Sequence, residues 1–110
     1  MRLDDFGFNE MLEMQKTLQE KYKDKWEPIS PDCSKSHLLW MVGEIGEVID
    51  IIKKQGTEEI SRNPETRGDL IEEMADVLMH YTDVMLCFGI SAEELRRSFC
   101  AKFEKNMKRW

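Results

Sequence analysis

The stretch at residues 38–56, LLWMVGEIGEVIDIIKKQG, has the pattern of one long helix that ends at a glycine. At 100° per residue, Glu44 and Glu47 fall within about 60° of each other, and bulky apolar residues share their face. Residues 69–85, DLIEEMADVLMHYTDVM, repeat the arrangement with Glu73 and Asp76. Two helices are therefore predicted to carry a carboxylate pair inside their apolar stripes.

The position of these acids indicates that they hold something positive. A buried charge without a partner costs several kcal/mol, and a domain is stable by only about 5–15 kcal/mol. One interpretation is a set of salt bridges to lysine or arginine across the helices. The other is a cation, because residues three apart on two antiparallel helices can converge four oxygen-bearing side chains.

All-oxygen ligation suits hard cations, and Mg²⁺ fits best, with Mn²⁺ as a substitute. Glu44, Glu47, Glu73 and Asp76 are the expected ligands. A di-iron site needs Glu-x-x-His on two helices, and neither histidine follows a glutamate by three residues. His80 follows Asp76 by four residues and is a further candidate ligand.

Breaks along the chain predict four helices in one domain, residues 1–110, of the all-α, four-helix bundle type with antiparallel neighbours. The expected bounds are 6–25, from between Pro31 and Lys35 to Gln55, 64–88, and from Ser91 onward. Ser30 or Ser34 is the expected cap of the second helix, Asn63 that of the third, and Ser91 with Glu94 forms a capping box. Residues 57–62 are expected to form a polar loop.

Composition excludes several classes of function. The net charge of −6 argues against binding nucleic acid polymers, which needs a basic face. No run of 18 apolar residues predicts a membrane span, and the N-terminal residues lack the pattern of a signal peptide. Three cysteines without CxxC spacing suggest reduced thiols in a cytoplasmic protein rather than disulfides or a zinc site.

The last predicted helix carries Lys102, Asn106 and Arg109 in one row, at i, i+4 and i+7. A lysine, an amide and a guanidinium in line are suitable donors for a polyphosphate. Basic residues near a helix C-terminus also favour the helix dipole, which is the simpler explanation. Lys54 either adds another phosphate donor or neutralises Asp50.

These features together resemble the all-α nucleoside triphosphate pyrophosphohydrolases, the MazG-like and dCTP pyrophosphatase-like proteins. The resemblance covers about residues 36–110: two ordered acidic motifs, the capped last helix and the basic tail. In this chain Gly43 stands where the commonest family form has a second glutamate before Glu44.

The resemblance implies a Mg²⁺-dependent nucleoside triphosphate diphosphatase. NTP or dNTP and water would give NMP or dNMP and diphosphate, by attack of a metal-activated water at the α-phosphorus. The four acids would be catalytic and metal-binding, and Lys54, Lys102, Asn106 and Arg109 would bind the phosphates. The alternative is a non-catalytic helical interaction module or a regulatory nucleotide-binding module.

Aromatic residues near the acids are candidates for a base pocket: Trp26, His37, Trp40 and Tyr81. Trp40 and Tyr81 are better explained as core residues, and His37 either hydrogen-bonds a base or caps a helix. Such a short chain cannot cover all its aromatic residues, Trp110 included, and the first helix has apolar residues on two sides. A homodimer or dimer of dimers is therefore expected, and related proteins place active sites near the subunit interface.

Overall fold

The computed structural model describes residues 5–109, and those residues form helices without any β-strand, so the all-α prediction is confirmed. Met1 to Asp4 and Trp110 lie outside the described residues. The helices are α1 (Phe8–Lys21), α2 (Ser34–Gln55), α3 (Thr57–Arg62), α4 (Pro64–Cys87) and α5 (Ala92–Arg109), with a short 3₁₀ turn at Pro31–Cys33 before α2.

Two helix starts have the predicted caps. The Asn63 side chain accepts a hydrogen bond from the Glu65 amide at 3.0 Å, and Pro64 occupies the first helical position. At α5, the Glu94 amide donates to the Ser91 hydroxyl at 3.1 Å, and the Ser91 amide donates to the Glu94 carboxylate at 2.8 Å. The capping box is confirmed, because each side chain satisfies an amide that the helix leaves unpaired.

Residues 57–62 form the helix α3, so the predicted polar loop there is wrong. Gly56, with φ of +85°, ends α2 and allows the sharp change of direction. Ile60 is buried in this otherwise polar segment, and α3 packs against α4. One apolar residue in six is too few to show a helical period, which explains the error.

The first helix is shorter than predicted at both ends. Its N-terminus follows Gly7, whose amide donates to the Glu10 carboxylate at 2.9 Å. Beyond Lys21 the chain leaves the helix and turns, and the rings of Tyr22 and Trp26 stack at 4.7 Å. The stacked rings stabilise a turn where the sequence suggested a continued helix.

The predicted serine cap of α2 is also wrong. Cys33 occupies the N-cap position of α2, and no side chain caps that helix. Ser30 precedes the 3₁₀ turn instead, and the Ser34 hydroxyl donates to the Pro31 carbonyl at 2.7 Å. The 3₁₀ turn supplies backbone hydrogen bonds in place of a side-chain cap.

Helices α2 and α4 form the main pair of the fold. A parallel pair would need a connection that runs back along the whole of α2, which is about 33 Å long. The eight residues between α2 and α4 are too few to span that distance. The two helices are therefore antiparallel. Helix α1 packs against α4, and α5 packs lightly against α1 without burying any residue.

This arrangement leaves the single chain unusually open. Its accessible surface is 8670 Å², whereas a compact monomer of 13.0 kDa exposes roughly 6,300 Å². The radius of gyration is 16.3 Å, compared with about 13 Å for a compact domain of this length.

Among the described residues, no helix combines the length and apolar character that a membrane span requires. All three cysteines are free thiols.

Candidate functional site

Three of the four predicted acids meet between α2 and α4. Glu44 comes from α2, and Glu73 and Asp76 come from consecutive turns of α4. One carboxylate oxygen from each lies within 4.8 Å of the other two, and all three side chains are half-buried. Antiparallel packing of two helices with acids on their facing sides produces this convergence.

The ion pairs of Lys23, Arg62, Arg96 and Arg97 involve acids outside the cluster, and the His80 imidazole lies 3.8 Å from Glu44. These ion pairs do not support the salt-bridge interpretation of the cluster. The pKa of Glu73 is raised by desolvation, next by hydrogen bonding with Glu44, and then by the negative charges of Glu44, Asp76 and Glu47. A cation would relieve this repulsion.

Glu47 lies apart from this triad. It is exposed, and its carboxylate is outside the group of oxygens that lie within 4.8 Å of one another. Its charge still raises the pKa of Glu73, so it lies close enough to act electrostatically. The structure thus places three predicted ligands together and the fourth beside them.

His80, the further candidate ligand, lies at the edge of the triad rather than in it. Its Nε2 is 3.8 Å from Glu44 Oε1, and its Nδ1 is 3.6 Å from Asp83 Oδ2. The Nδ1 atom is buried and makes no hydrogen bond within the described chain. His80 therefore connects the carboxylate triad to a second polar group.

That second group surrounds Asp83, which the sequence analysis missed. Asp83 is 2% exposed, and its Oδ1 accepts hydrogen bonds from Gln15 Nε2 and Gln19 Nε2, both at 2.9 Å. Asp83 follows Asp76 by seven residues, which places both on one face of α4. The two glutamines are spaced i, i+4 on α1. The seven-residue spacing of the two aspartates and the i, i+4 spacing of the two glutamines are the sequence signals that indicate this polar group.

His37 completes the group from α2. It is buried, and its Nε2 lies 3.0 Å from the carbonyl oxygen of Pro28, which can only accept, so Nε2 carries the proton. Its Nδ1 faces Asp83 Oδ2 at 3.9 Å. His37 therefore holds the loop before α2 against α2, and its other ring nitrogen lies beside the buried carboxylate.

A cavity of about 520 Å³ joins the two polar groups. Its lining includes Glu44 and Asp76 from the triad, and three of the four predicted base-pocket residues, which are Trp26, His37 and Trp40. Trp40 is 60% exposed, so it is not a core residue of the single chain. Such a volume and a mixed aromatic and polar lining are typical of small-molecule sites.

Tyr81 does not line this cavity. Its ring packs edge-on against Phe8 of α1, with the centroids 6.2 Å apart. The structure therefore assigns Tyr81 to the contact between α1 and α4. Its prediction as a base-pocket residue has no geometric support.

The four predicted phosphate donors also lie away from the cavity. Lys54, Lys102, Asn106 and Arg109 are absent from its lining, and α5 packs against α1. The Oδ1 atom of Asn106 is buried and has no hydrogen-bond partner within residues 5–109. No contact described here joins these donors to the carboxylates, so their role stays a prediction.

Fold and site together define an all-α domain with a carboxylate cluster, between antiparallel helices, that can hold a metal ion. Residues 33–109 match the family model of the MazG nucleotide pyrophosphohydrolase domain. The match covers more than two thirds of the chain, and the chain belongs to this family. No curated protein and no solved structure matches the chain. The family indicates a hydrolase that acts on a nucleotide.

Proposed function

We propose that this protein is a Mg²⁺-dependent nucleoside triphosphate pyrophosphohydrolase, which converts a triphosphate and water to the monophosphate and diphosphate. The observation that supports this most directly is the convergence of Glu44, Glu73 and Asp76 within 4.8 Å in a chain of the MazG family. The same cavity that contains two of these acids has room and aromatic surface for a nucleotide.

The donor set fits a hard divalent cation. Three carboxylates supply oxygen ligands only, which suits Mg²⁺ or Mn²⁺ better than softer metals. The pKa of Glu73 is raised first by desolvation, and then by its hydrogen bond with Glu44 and by the neighbouring negative charges, and a cation bound to these acids would oppose that shift. A bound Mg²⁺ would neutralise charge on the triphosphate and lower the pKa of a coordinated water.

The residues of the chain would then have separate tasks. Glu44, Glu73 and Asp76 would hold the cation, and Glu47 would either join them or accept a proton from the attacking water. Trp26 and Trp40 would flank the base, since aromatic rings stack on any base without distinguishing among bases.

We also propose that the working unit is at least a homodimer. The surface in excess of a compact monomer and an apolar cavity of about 590 Å³ between α1 and α4 support self-association. Helix α5 exposes Phe99, Phe103 and Met107, and the same helix carries three of the predicted phosphate donors. A neighbouring copy that packs on this face of α5 would then also contact these donors.

The test is a panel of standard and modified nucleoside triphosphates with Mg²⁺, assayed for diphosphate and monophosphate. We expect equal amounts of the two products and no turnover in EDTA. Glu73→Gln and Glu47→Ala should lower kcat by about 100-fold or more. Glu72→Gln is the matched control, because Glu72 is the exposed neighbour of Glu73 and lies outside the triad.

Other outcomes would overturn parts of this assignment. Binding of nucleotide with Mg²⁺ but without diphosphate release would indicate a regulatory nucleotide-binding module. Absence of any stabilisation by Mg²⁺ would favour a helical interaction module. A monomer in light scattering at micromolar concentration, together with full activity, would refute the oligomer.

A further inference from the structure

We infer that Cys33 and Cys87 form a redox modification site, an intramolecular disulfide that a peroxide produces and a thiol reductant reverses. The two cysteines are more than 50 residues apart in sequence, and both are free thiols in the structure. The inference is independent of the proposed function, because it concerns the end of the α2 and α4 pair and not the carboxylate triad.

The contacts between α2 and α4 define how the two antiparallel helices are aligned. Glu44 of α2 faces Asp76 of α4, with carboxylate oxygens within 4.8 Å of each other. Seven residues earlier on α2, His37 faces Asp83, which is seven residues later on α4, and the Nδ1 and Oδ2 atoms lie 3.9 Å apart. Seven residues are about two helical turns, so both contacts belong to one line along the facing sides of the helices.

Cys33 and Cys87 continue this line by one more turn. Cys33 precedes His37 by four residues, and Cys87 follows Asp83 by four, so each cysteine lies on the same helix face as its neighbour in the line. Cys33 occupies the N-cap of α2, and Cys87 is the last residue of α4. The alignment therefore places the two thiols opposite each other where the helix pair ends.

The loop before α2 makes contacts at the same place. The Cys33 amide donates to the Ser30 carbonyl at 3.0 Å, and Ser30 also forms a hydrogen bond to Cys87 through its backbone. Pro28 of the same loop lines a surface cavity together with Leu86 of α4. Ser30 thus contacts both cysteines, which supports the position derived from the helix alignment.

The two thiols differ in exposure, and this difference sets the order of the reaction. Cys33 is half-buried, whereas Cys87 is 4% exposed. Burial raises the pKa of the Cys87 thiol, the hydrogen bond from Ser30 lowers it, and negative charge at Asp83 and Cys33 raises it further. An oxidant from solution therefore meets Cys33 first, and Cys87 is the protonated second thiol.

The reaction has two steps. The Cys33 sulfur attacks hydrogen peroxide, the O–O bond breaks, and the sulfenic acid of Cys33 and water form. The Cys87 sulfur then attacks the Cys33 sulfur, the S–O bond breaks, and the hydroxyl leaves as water with the proton of Cys87. The two thiols lose two electrons in total, which reduce one peroxide to two waters.

The helix ends favour this bond for two reasons. A disulfide requires Cβ atoms about 3.8 Å apart, and no side chain caps the N-terminus of α2, so few hydrogen bonds oppose a small shift toward that distance. The bond closes a loop of more than 50 residues. Closing a long loop restricts the unfolded chain, so the oxidised protein is the more stable form.

The test is mass spectrometry of the full chain, first reduced and then treated with a small excess of hydrogen peroxide. Remaining thiols are alkylated, and trypsin places the three cysteines on residues 26–35, 68–96 and 98–102. We expect the first two peptides joined with loss of two hydrogens, Cys100 alkylated, and both peptides released by dithiothreitol. Alkylation of both Cys33 and Cys87, or bonds to Cys100 or to a second chain on a non-reducing gel, overturns the inference.

Melting temperatures give a second readout. Peroxide should raise the melting temperature of Cys100→Ser by about 5 °C or more, and dithiothreitol should reverse the rise. Cys100→Ser is the matched control, because it replaces an exposed thiol on α5 and should keep the cross-linked peptide. A melting temperature of Cys100→Ser that peroxide does not raise overturns the inference.

Two variants assign the rise to the proposed pair. Cys33→Ser and Cys87→Ala, each combined with Cys100→Ser, should lose both the cross-linked peptide and the rise in melting temperature. Serine suits the N-cap position, so Cys33→Ser keeps the fold and decides the question even where the replacement of buried Cys87 unfolds the chain. A rise that persists in Cys33→Ser overturns the inference.

Discussion

Replacing Asp83 by alanine should destabilise the protein more than any other single substitution of a polar side chain described above. Asp83 is almost fully buried and accepts two hydrogen bonds, from Gln15 and Gln19. Alanine removes both bonds at once and leaves two amide nitrogens buried without an acceptor. His37 and His80 also lose the carboxylate that lies within 4 Å of a ring nitrogen of each.

The magnitude follows from the two hydrogen bonds. Each hydrogen bond to a charged group contributes about 1.5–3 kcal/mol, so the loss of both amounts to about 3–6 kcal/mol. A domain of this size is stable by about 5–15 kcal/mol. The substitution therefore removes a large share of the stability, and we expect the variant to be folded only at low temperature or low denaturant.

Urea unfolding followed by far-UV circular dichroism measures this loss. Wild type and variants must be compared at one protein concentration, because self-association adds to apparent stability. Asp83→Asn keeps one acceptor oxygen, so its free energy of unfolding should decrease by about half as much as that of Asp83→Ala. Asp69→Ala, an exposed acid on the same helix, should change the free energy of unfolding by no more than about 0.5 kcal/mol. A loss below about 1 kcal/mol in Asp83→Ala would refute the reasoning.

Three further predictions concern other parts of the molecule. Because the pKa of Glu73 in the folded protein is raised above 4.5, its contribution to stability is full below pH 4.5 and is lost as pH rises through the folded pKa. The melting temperature of the EDTA-treated protein should therefore fall as pH rises through that window. Glu73→Gln should remove this part of the fall and should melt at a higher temperature than wild type at pH 7. The same pH profile in wild type and Glu73→Gln would contradict this prediction. Lys102→Ala and Arg109→Ala should raise KM for the triphosphate without changing metal affinity, and unchanged kinetics would leave only the helix-dipole explanation. Ser91→Ala should cost about 1 kcal/mol in urea unfolding by removing the capping box of α5, whereas no loss would mean that α5 contributes little to stability.

Sequence reasoning predicted local features well because they depend on neighbours along one helix. The caps at Asn63 and Ser91 involve residues two or three positions apart, and backbone geometry brings such residues together in any fold. The shared face of Glu73 and Asp76 follows in the same way from a period of 3.6 residues. The short helix at residues 57–62 was missed because one apolar residue, Ile60, gives no period.

The sequence by itself therefore determined the all-α class, the two helices that carry the acidic residues, and the helix face on which each acid lies. The tertiary structure decided which faces meet. The rotation of α2 against α4 brings Glu44 to Glu73 and leaves Glu47 exposed. The packing of α1 on α4 places two glutamines on the oxygen of Asp83, across more than 60 residues of sequence. Contacts of this kind depend on how each helix is rotated and shifted against its neighbour, which is determined by packing of the whole chain and not by the spacing within one helix.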